Sequence, residues 1–195
     1  MVIIIALVGS DGSGKSSLAH YLKKRLEKRG ESVRVVFMGW RDFQNPFVRL
    51  FSYFYQKRKR SKILVEEKLA RFRPRSFFFY LLYYLELRMR YRKAMNSKTD
   101  IILFDRYFYD ELVFAPPRLF LLLKRLTPKP DLCVILRVPP SILKKRGVSI
   151  SAEQHFRFYN SLSRVSLLSP TITIDATKPL SKLSRSLQPY LTRKA

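Results

Sequence analysis

The sequence is short of several things at once. Among its 195 residues there is one cysteine, Cys133, which excludes a disulfide framework and a cysteine-based zinc site. The two histidines, His20 and His155, are isolated, and each reads as a surface or helix-face residue rather than a catalytic one. No apolar run approaches the roughly 18 residues needed to span a bilayer. The run Val2–Val8 has no basic segment before it and no cleavage site after it, so it does not read as a signal peptide. Acidic residues number 14 against 39 Lys and Arg, a formal net charge of +25. That deficit points to a cytoplasmic protein that handles a polyanion or phosphates. Glycine is also scarce, with six in all, and three of the six fall between residues 9 and 14.

What is present is enough apolar material for a core: 47% of residues are hydrophobic and 14% aromatic, unlike a disordered basic tail. The length suits a single domain spanning 1–195. The charge is uneven. Residues 41–98 carry 16 basic and 4 acidic groups, whereas residues 99–140 carry 6 and 5. About half of the positive excess therefore lies in 41–98. No internal repeat or low-complexity segment stands out.

Val2–Val8 is a continuous Val/Ile-rich run, the pattern of a strand buried on both faces of a parallel sheet. Lys15–Arg29 follows as a helix, with Leu18, Leu22 and Leu26 four residues apart and Gly30 as its stop. Further strands are predicted at Ser32–Met38, Ile101–Phe104, Leu132–Leu136 and Thr171–Ile174. Strand–helix alternation implies right-handed βαβ units and an α/β fold with a parallel sheet. Between Trp40 and Lys98 the signals are helical: one helix at Ile63–Phe72, halted before Pro74, and a longer one at Ser76–Met95. After Pro139-Pro140 a short helix stops at Gly147. Ser151-Ala152-Glu153-Gln154 then has the spacing of a capping box that starts another.

Gly9-Ser10-Asp11-Gly12-Ser13-Gly14-Lys15-Ser16 matches G-x-x-x-x-G-K-[ST], directly after a predicted strand and opening a predicted helix. Glycines let the backbone wrap until successive N–H groups face phosphate oxygens. The helix N-terminus adds a favourable dipole. Lys15 supplies a charge for the β- and γ-phosphates of ATP, and the Ser16 hydroxyl a ligand for Mg²⁺. Ile101–Phe104 ends in Asp105, and a parallel sheet delivers such a strand end to the edge that carries the loop. Asp105 is therefore a second candidate for the metal.

These residues, with Ser17, resemble the loop of thymidylate kinases. Asp105-Arg106-Tyr107 is similar to their Asp-Arg-Tyr/His signature. Leu136-Arg137-Val138-Pro139-Pro140 is similar to their Leu-Asp-Val-Pro-Pro, with Arg137 in place of the Asp. Ile174-Asp175-Ala176 resembles their final strand and the turn near the nucleotide base. The resemblance implies a P-loop kinase with a five-stranded parallel sheet in the order 2-3-1-4-5, a helical acceptor-side insertion at 41–98 and a lid around 144–152. It implies ATP-dependent phosphoryl transfer to a nucleoside monophosphate, dTMP first, giving the diphosphate and ADP.

The candidate roles follow. Residues Gly9 to Ser17 and Asp175 bind ATP. Lys15, Asp105, Arg106 and Arg146 serve the transfer, with Lys144, Lys145 and Arg146 closing as a lid. Arg106 and Tyr107 meet the acceptor, and Asp11 takes a hydroxyl of its sugar. Arg41 stands in for the Arg of the family's Arg-Glu-Pro-Gly, which reads Gly39-Trp40-Arg41-Asp42 here. An aromatic of Phe77–Tyr84 stacks on the acceptor base or belongs to the core.

The basic, aromatic 41–98 segment also allows another reading. It suits a kinase or ATPase that binds a polynucleotide, through interleaved Arg71, Arg73, Arg75 and aromatic rings. An anionic lipid surface, or a homodimer contact through the aromatic helix, is a further use of the same stretch.

Overall fold

The apolar runs become strands for the reason the sequence suggests. Each is too hydrophobic on both sides to face water, and the structure buries both sides. A computed structural model describes residues 2–39, 43–49, 74–112, 117–148, 151–166 and 169–191. The strands are β1 (Ile3–Val8), β2 (Val33–Phe37), β3 (Ile101–Asp105), β4 (Leu132–Arg137) and β5 (Thr171–Asp175). All pairings are parallel, and the order is β2-β3-β1-β4-β5, as expected. Interior strand β3 is buried throughout, whereas edge strands β2 and β5 are partly exposed.

Because side chains alternate across a strand, the sheet has two cores. Ile4, Ala6, Val8, Ile102 and Phe104 face one, and Ile5, Leu7, Ile101 and Leu103 face the other. The second is covered by helix α1 (Lys15–Glu27) through Leu18, Leu22 and Leu26. The first is covered by α2 (Pro74–Met95) through Tyr80, Tyr83, Tyr84 and Leu87. Next in chain order come α3 (Phe108–Leu112), α4 (Pro117–Leu126), α5 (Pro140–Lys145), α6 (Ala152–Ser166) and α7 (Leu180–Leu191). Register places Leu7 and Phe37 beside Asp105, and Arg137 beside Asp175, so the carboxyl ends of the strands form one edge. The site lies on that edge.

Strand ends shift by a single residue, and two helix boundaries differ from the reading of the sequence. Helix α2 begins at Pro74 rather than Ser76. Proline suits the first helical position, where its missing N–H has no partner to lose. Helix α1 ends at Glu27, and Gly30, at φ +84°, turns the chain so that the Glu31 N–H donates back to the Leu26 carbonyl. The predicted helix at 63–72, Trp40 and Arg41 lie outside the described residues. Among the described residues, no helix is long and apolar enough to cross a membrane.

A buried ion pair organises the α2 side. Glu86 is fully buried and accepts from Arg90 Nε at 2.7 Å and from the backbone N–H groups of Gln44 and Asn45 at 2.9 and 2.7 Å. Arg90 also donates to the carbonyls of Phe37 and Gly39, at 3.3 and 3.0 Å, and lies over the Phe43 ring. The pair fastens the chain leaving β2 to the middle of α2. Arg90 belongs to the basic 41–98 segment, yet its guanidinium is internal. Arg90→Ala strands the Glu86 charge in the core and is expected to cost about 3 kcal/mol. Urea unfolding of the variant measures this, and a loss below about 1 kcal/mol, the range of exposed pairs, contradicts it.

Candidate active site

The segment between β1 and α1 folds into a tight loop at the carboxyl edge. Gly9 sits at φ +150°, and a Cβ there would lie 2.6 Å from the Leu136 carbonyl oxygen, so only glycine fits between β1 and β4. Lys15 is buried. Its Nζ donates to the carbonyls of Gly9 and Ser10, both at 2.7 Å, so the ammonium lies across the loop's own backbone. Residues Asp11 to Ser17 line a cleft of about 600 Å³, together with Phe37, Asp105, Arg106 and Arg146. Ala176, Lys178, Pro179 and Leu180, just past β5, line its far side.

Asp105, at the end of β3, meets the first turn of α1. Ser16 Oγ donates to Asp105 Oδ2 at 2.5 Å across 89 residues of sequence. Asp105 is buried, and its Oδ1 has no hydrogen-bond partner among the described residues. A buried carboxylate oxygen without a donor, beside a hydroxyl at the mouth of a phosphate loop, fits a hard divalent cation. Among the described residues there is no cluster of three or more His, Cys, Asp or Glu. The Ser16 hydroxyl and the Asp105 carboxylate together suit Mg²⁺, which takes one or two protein ligands and completes its shell with phosphate and water.

Arg106 occupies the left-handed region at φ +68°, a conformation that costs a non-glycine residue about 1–2 kcal/mol. Its N–H donates to the Leu7 carbonyl at 3.0 Å, and its guanidinium is ion-paired with Asp11. A Cβ on Gly39 would lie 2.7 Å from Arg106 Cδ, so the glycine after β2 makes room for this arginine. Arg146, just after α5, donates to the Gly12 carbonyl at 2.7 Å and so reaches the loop from the end of that helix. Lys144 and Lys145 are exposed on α5. Thus Lys15, Ser16, Asp105, Arg106, Asp11 and Arg146 are brought to one cleft.

Other candidates are placed differently. The Tyr107 side chain turns into the core instead of toward an acceptor: its ring packs on Phe104, Phe108 and Tyr109, and its hydroxyl donates to the Pro128 carbonyl at 3.0 Å. Burial pushes that phenol's pKa far above the usual tyrosine range. Asp175 does not line the cleft; it accepts from the Thr177 N–H and hydroxyl, which hold its carboxyl below the usual range. His155, read as a surface or helix-face residue, is buried, with Nε2 2.6 Å from the Val138 carbonyl oxygen. Tyr80, Tyr83 and Tyr84 are core residues. Cys133 is buried, and burial pushes its thiol up to about 12.

Two residues that bear on the site carry no motif. Asp110 Oδ1 accepts the Gly9 N–H at 2.9 Å, and its Oδ2 accepts the Tyr107 N–H at 3.0 Å. Tyr159 on α6 donates its hydroxyl to the Leu136 carbonyl at 2.6 Å and accepts the Ser10 N–H at 3.3 Å. Sequence spacing offers no sign of either contact, because the partners are 101 and 149 residues apart.

No family model matches the chain. Over 95% of its length and 93% of the relative's, it is 25% identical to a probable thymidylate kinase of Archaeoglobus fulgidus. It is also 25% identical to a probable thymidylate kinase of Methanosphaera stadtmanae, over 89% of each chain. Among solved structures it superposes on a thymidylate kinase from Ehrlichia chaffeensis with a TM-score of 0.64 at 15% identity, covering 98% of this chain and 99% of that one. A deoxyadenosine kinase from M. mycoides gives a TM-score of 0.60 at 17% identity, over 97% and 98%. The resemblance to thymidylate kinases thus runs along nearly the whole chain, and the fold is theirs.

The crowding at Gly9 yields a test. Gly9→Ala forces the loop off the Leu136 carbonyl and is expected to weaken ADP binding, measured by calorimetry, by tenfold or more. ADP affinity within twofold of wild type contradicts the close approach.

Proposed function

We propose that this protein transfers the γ-phosphoryl group of ATP to a nucleoside monophosphate, with dTMP as the acceptor, forming the diphosphate and ADP. One observation carries the reading. The 9–17 loop, the Ser16–Asp105 contact and the Arg106 guanidinium converge on one cleft at the carboxyl edge of a parallel sheet. Similarity to two probable thymidylate kinases along nearly the full chain supports the choice of acceptor class.

Phosphoryl transfer demands positioning and charge neutralisation more than covalent help. The loop amides and Lys15 hold the β- and γ-phosphates. Ser16 and Asp105 would hold Mg²⁺, which when bound neutralises charge on the phosphate oxygens. Arg106 offers two parallel donors to the acceptor phosphate, which competes with Asp11 for the guanidinium. Asp11, once released, is free to accept from the acceptor sugar. Arg146 brings a cation over the loop from the lid segment. An acceptor phosphate oxygen attacks the γ-phosphorus, one P–O bond forms, and the bond to the β-phosphate oxygen breaks to give ADP.

The polynucleotide reading draws less support. Arg71 and Arg73, on which that reading rests, lie outside the described residues, while Arg90, Tyr80, Tyr83 and Tyr84 are buried and add neither a cationic groove nor a stacking platform. An acceptor screen with γ-labelled ATP over nucleoside monophosphates, nucleosides and oligonucleotide 5′ ends decides between them. Labelled dTDP is expected with dTMP, and Lys15→Ala is expected to lower turnover by about 10³-fold or more with the fold retained. Label on oligonucleotide ends, or on inorganic phosphate alone, contradicts the proposal.

A further inference from the structure

The Asp110 carboxylate is almost wholly buried, at 1% exposure, and it does not line the cleft. Half of its bonding has an ordinary explanation. Asp110 is the third residue of α3 counted from Phe108, and the Tyr107 N–H that it accepts belongs to the residue just before that helix. A side chain that reaches back in this way is the acidic half of a capping box. The other half is not explained by capping. Oδ1 accepts the N–H of Gly9, the first residue of the phosphate loop, from 101 residues away. A helix cap needs no such bond, and burying a carboxylate costs several kcal/mol unless it is repaid by specific contacts.

The two bonds end at two significant places. Gly9 is the residue pressed against the Leu136 carbonyl, where the loop leaves β1. Tyr107 follows Arg106, whose left-handed backbone must be held against its own preference. One carboxylate therefore grips both the start of the donor-phosphate loop and the turn that aims the acceptor arginine. Lys15 and Arg106 face it electrostatically, so it is also an internal counter-charge to the two cations of the cleft. Tyr159 makes a related contact to the next loop amide, Ser10, but has no bond to the Arg106 turn. The amides of Gly9 and Ser10 are thus committed to protein side chains, and the cleft lining begins at Asp11.

We propose that Asp110 is a positioning residue that fixes the phosphate loop and the Arg106 turn in register with one another, so that donor and acceptor phosphates are held at one distance. This rests on the kinase reading above. Desolvation is the largest influence on its carboxyl and leaves it above the ordinary carboxylate range, and Lys15, Arg106 and the two N–H groups offset part of that rise.

Asp110→Asn keeps the shape but turns one acceptor into a donor, so one of the two N–H groups faces another N–H. The variant, folded by circular dichroism, is expected to bind ADP with Mg²⁺ at least tenfold more weakly by calorimetry. The KM of whichever monophosphate the wild type phosphorylates is also expected to rise at least fivefold. Tyr159→Phe is expected to weaken ADP but leave the acceptor KM within twofold. ADP affinity within twofold of wild type in folded Asp110→Asn overturns the proposal. So does an acceptor KM that stays unchanged while ADP weakens. If Asp110→Asn does not fold, amide exchange in the wild type decides. Slow exchange at both Gly9 and Tyr107 supports the bridge, and exchange of the Gly9 amide at the solvent-exposed rate refutes it. A wild type that binds ADP but phosphorylates no monophosphate sinks the kinase reading, and the ADP arm still tests Asp110.

Discussion

The contact between Ser16 Oγ and Asp105 Oδ2, 2.5 Å long, depends on nearly everything else in the fold being in place. It joins the first turn of α1 to the last residue of β3, two elements that chain order separates by a whole sheet crossing. For it to form, β3 must lie beside β1 in parallel, with Asp105 level with Leu7. The loop must also turn sharply enough at Gly9 to start a helix over the strand ends. Among the described residues the buried Oδ1 of Asp105 then has no hydrogen-bond partner, and the residue lines the cleft together with the loop. A buried carboxylate oxygen without a donor destabilises a protein that has no use for it. Its persistence here is the strongest physical argument for a cation at this edge.

The second organising feature lies on the α2 side of the sheet and changes the meaning of the charge. Part of the +25 is not a surface property at all. Arg90 is spent on Glu86 and on the carbonyls that end β2, so it holds the chain leaving β2 against α2. Lys15 and Arg106 are likewise engaged inside the cleft, by loop carbonyls and by Asp11. A count of cations along a segment says nothing of which ones meet a partner in the fold. On described elements Arg92, Lys93, Lys144 and Lys145 are exposed, so theirs is the part of the charge that reaches solvent.

Much of this was legible in the sequence, and what was not shares one cause. The strands could be read because their burial on both faces leaves a continuous apolar run, as in Ile3–Val8 and Leu132–Leu136. The loop could be read because its chemistry is compressed into eight consecutive residues, and Asp105 because a strand end has a predictable location. Asp110, Tyr159 and the Glu86–Arg90 pair could not. Each acts on a partner tens of residues away or more, and the same residue types on a solvated helix face would look no different. Tyr107 shows the converse: it sits inside a recognisable signature, yet its ring belongs to the core. Motif membership located the backbone, and only packing decided which side chains face the cleft.

The most direct test is the metal dependence of nucleotide affinity. Calorimetric titration of ADP with Mg²⁺, and again with EDTA, is predicted to show tighter binding with the metal in the wild type. That increment should be largely lost in Asp105→Asn, whose neutral amide oxygen holds Mg²⁺ more weakly than a carboxylate. Equal ADP affinity with and without Mg²⁺ in the wild type, or an increment that survives Asp105→Asn, would contradict the assignment of this edge as the seat of phosphoryl transfer.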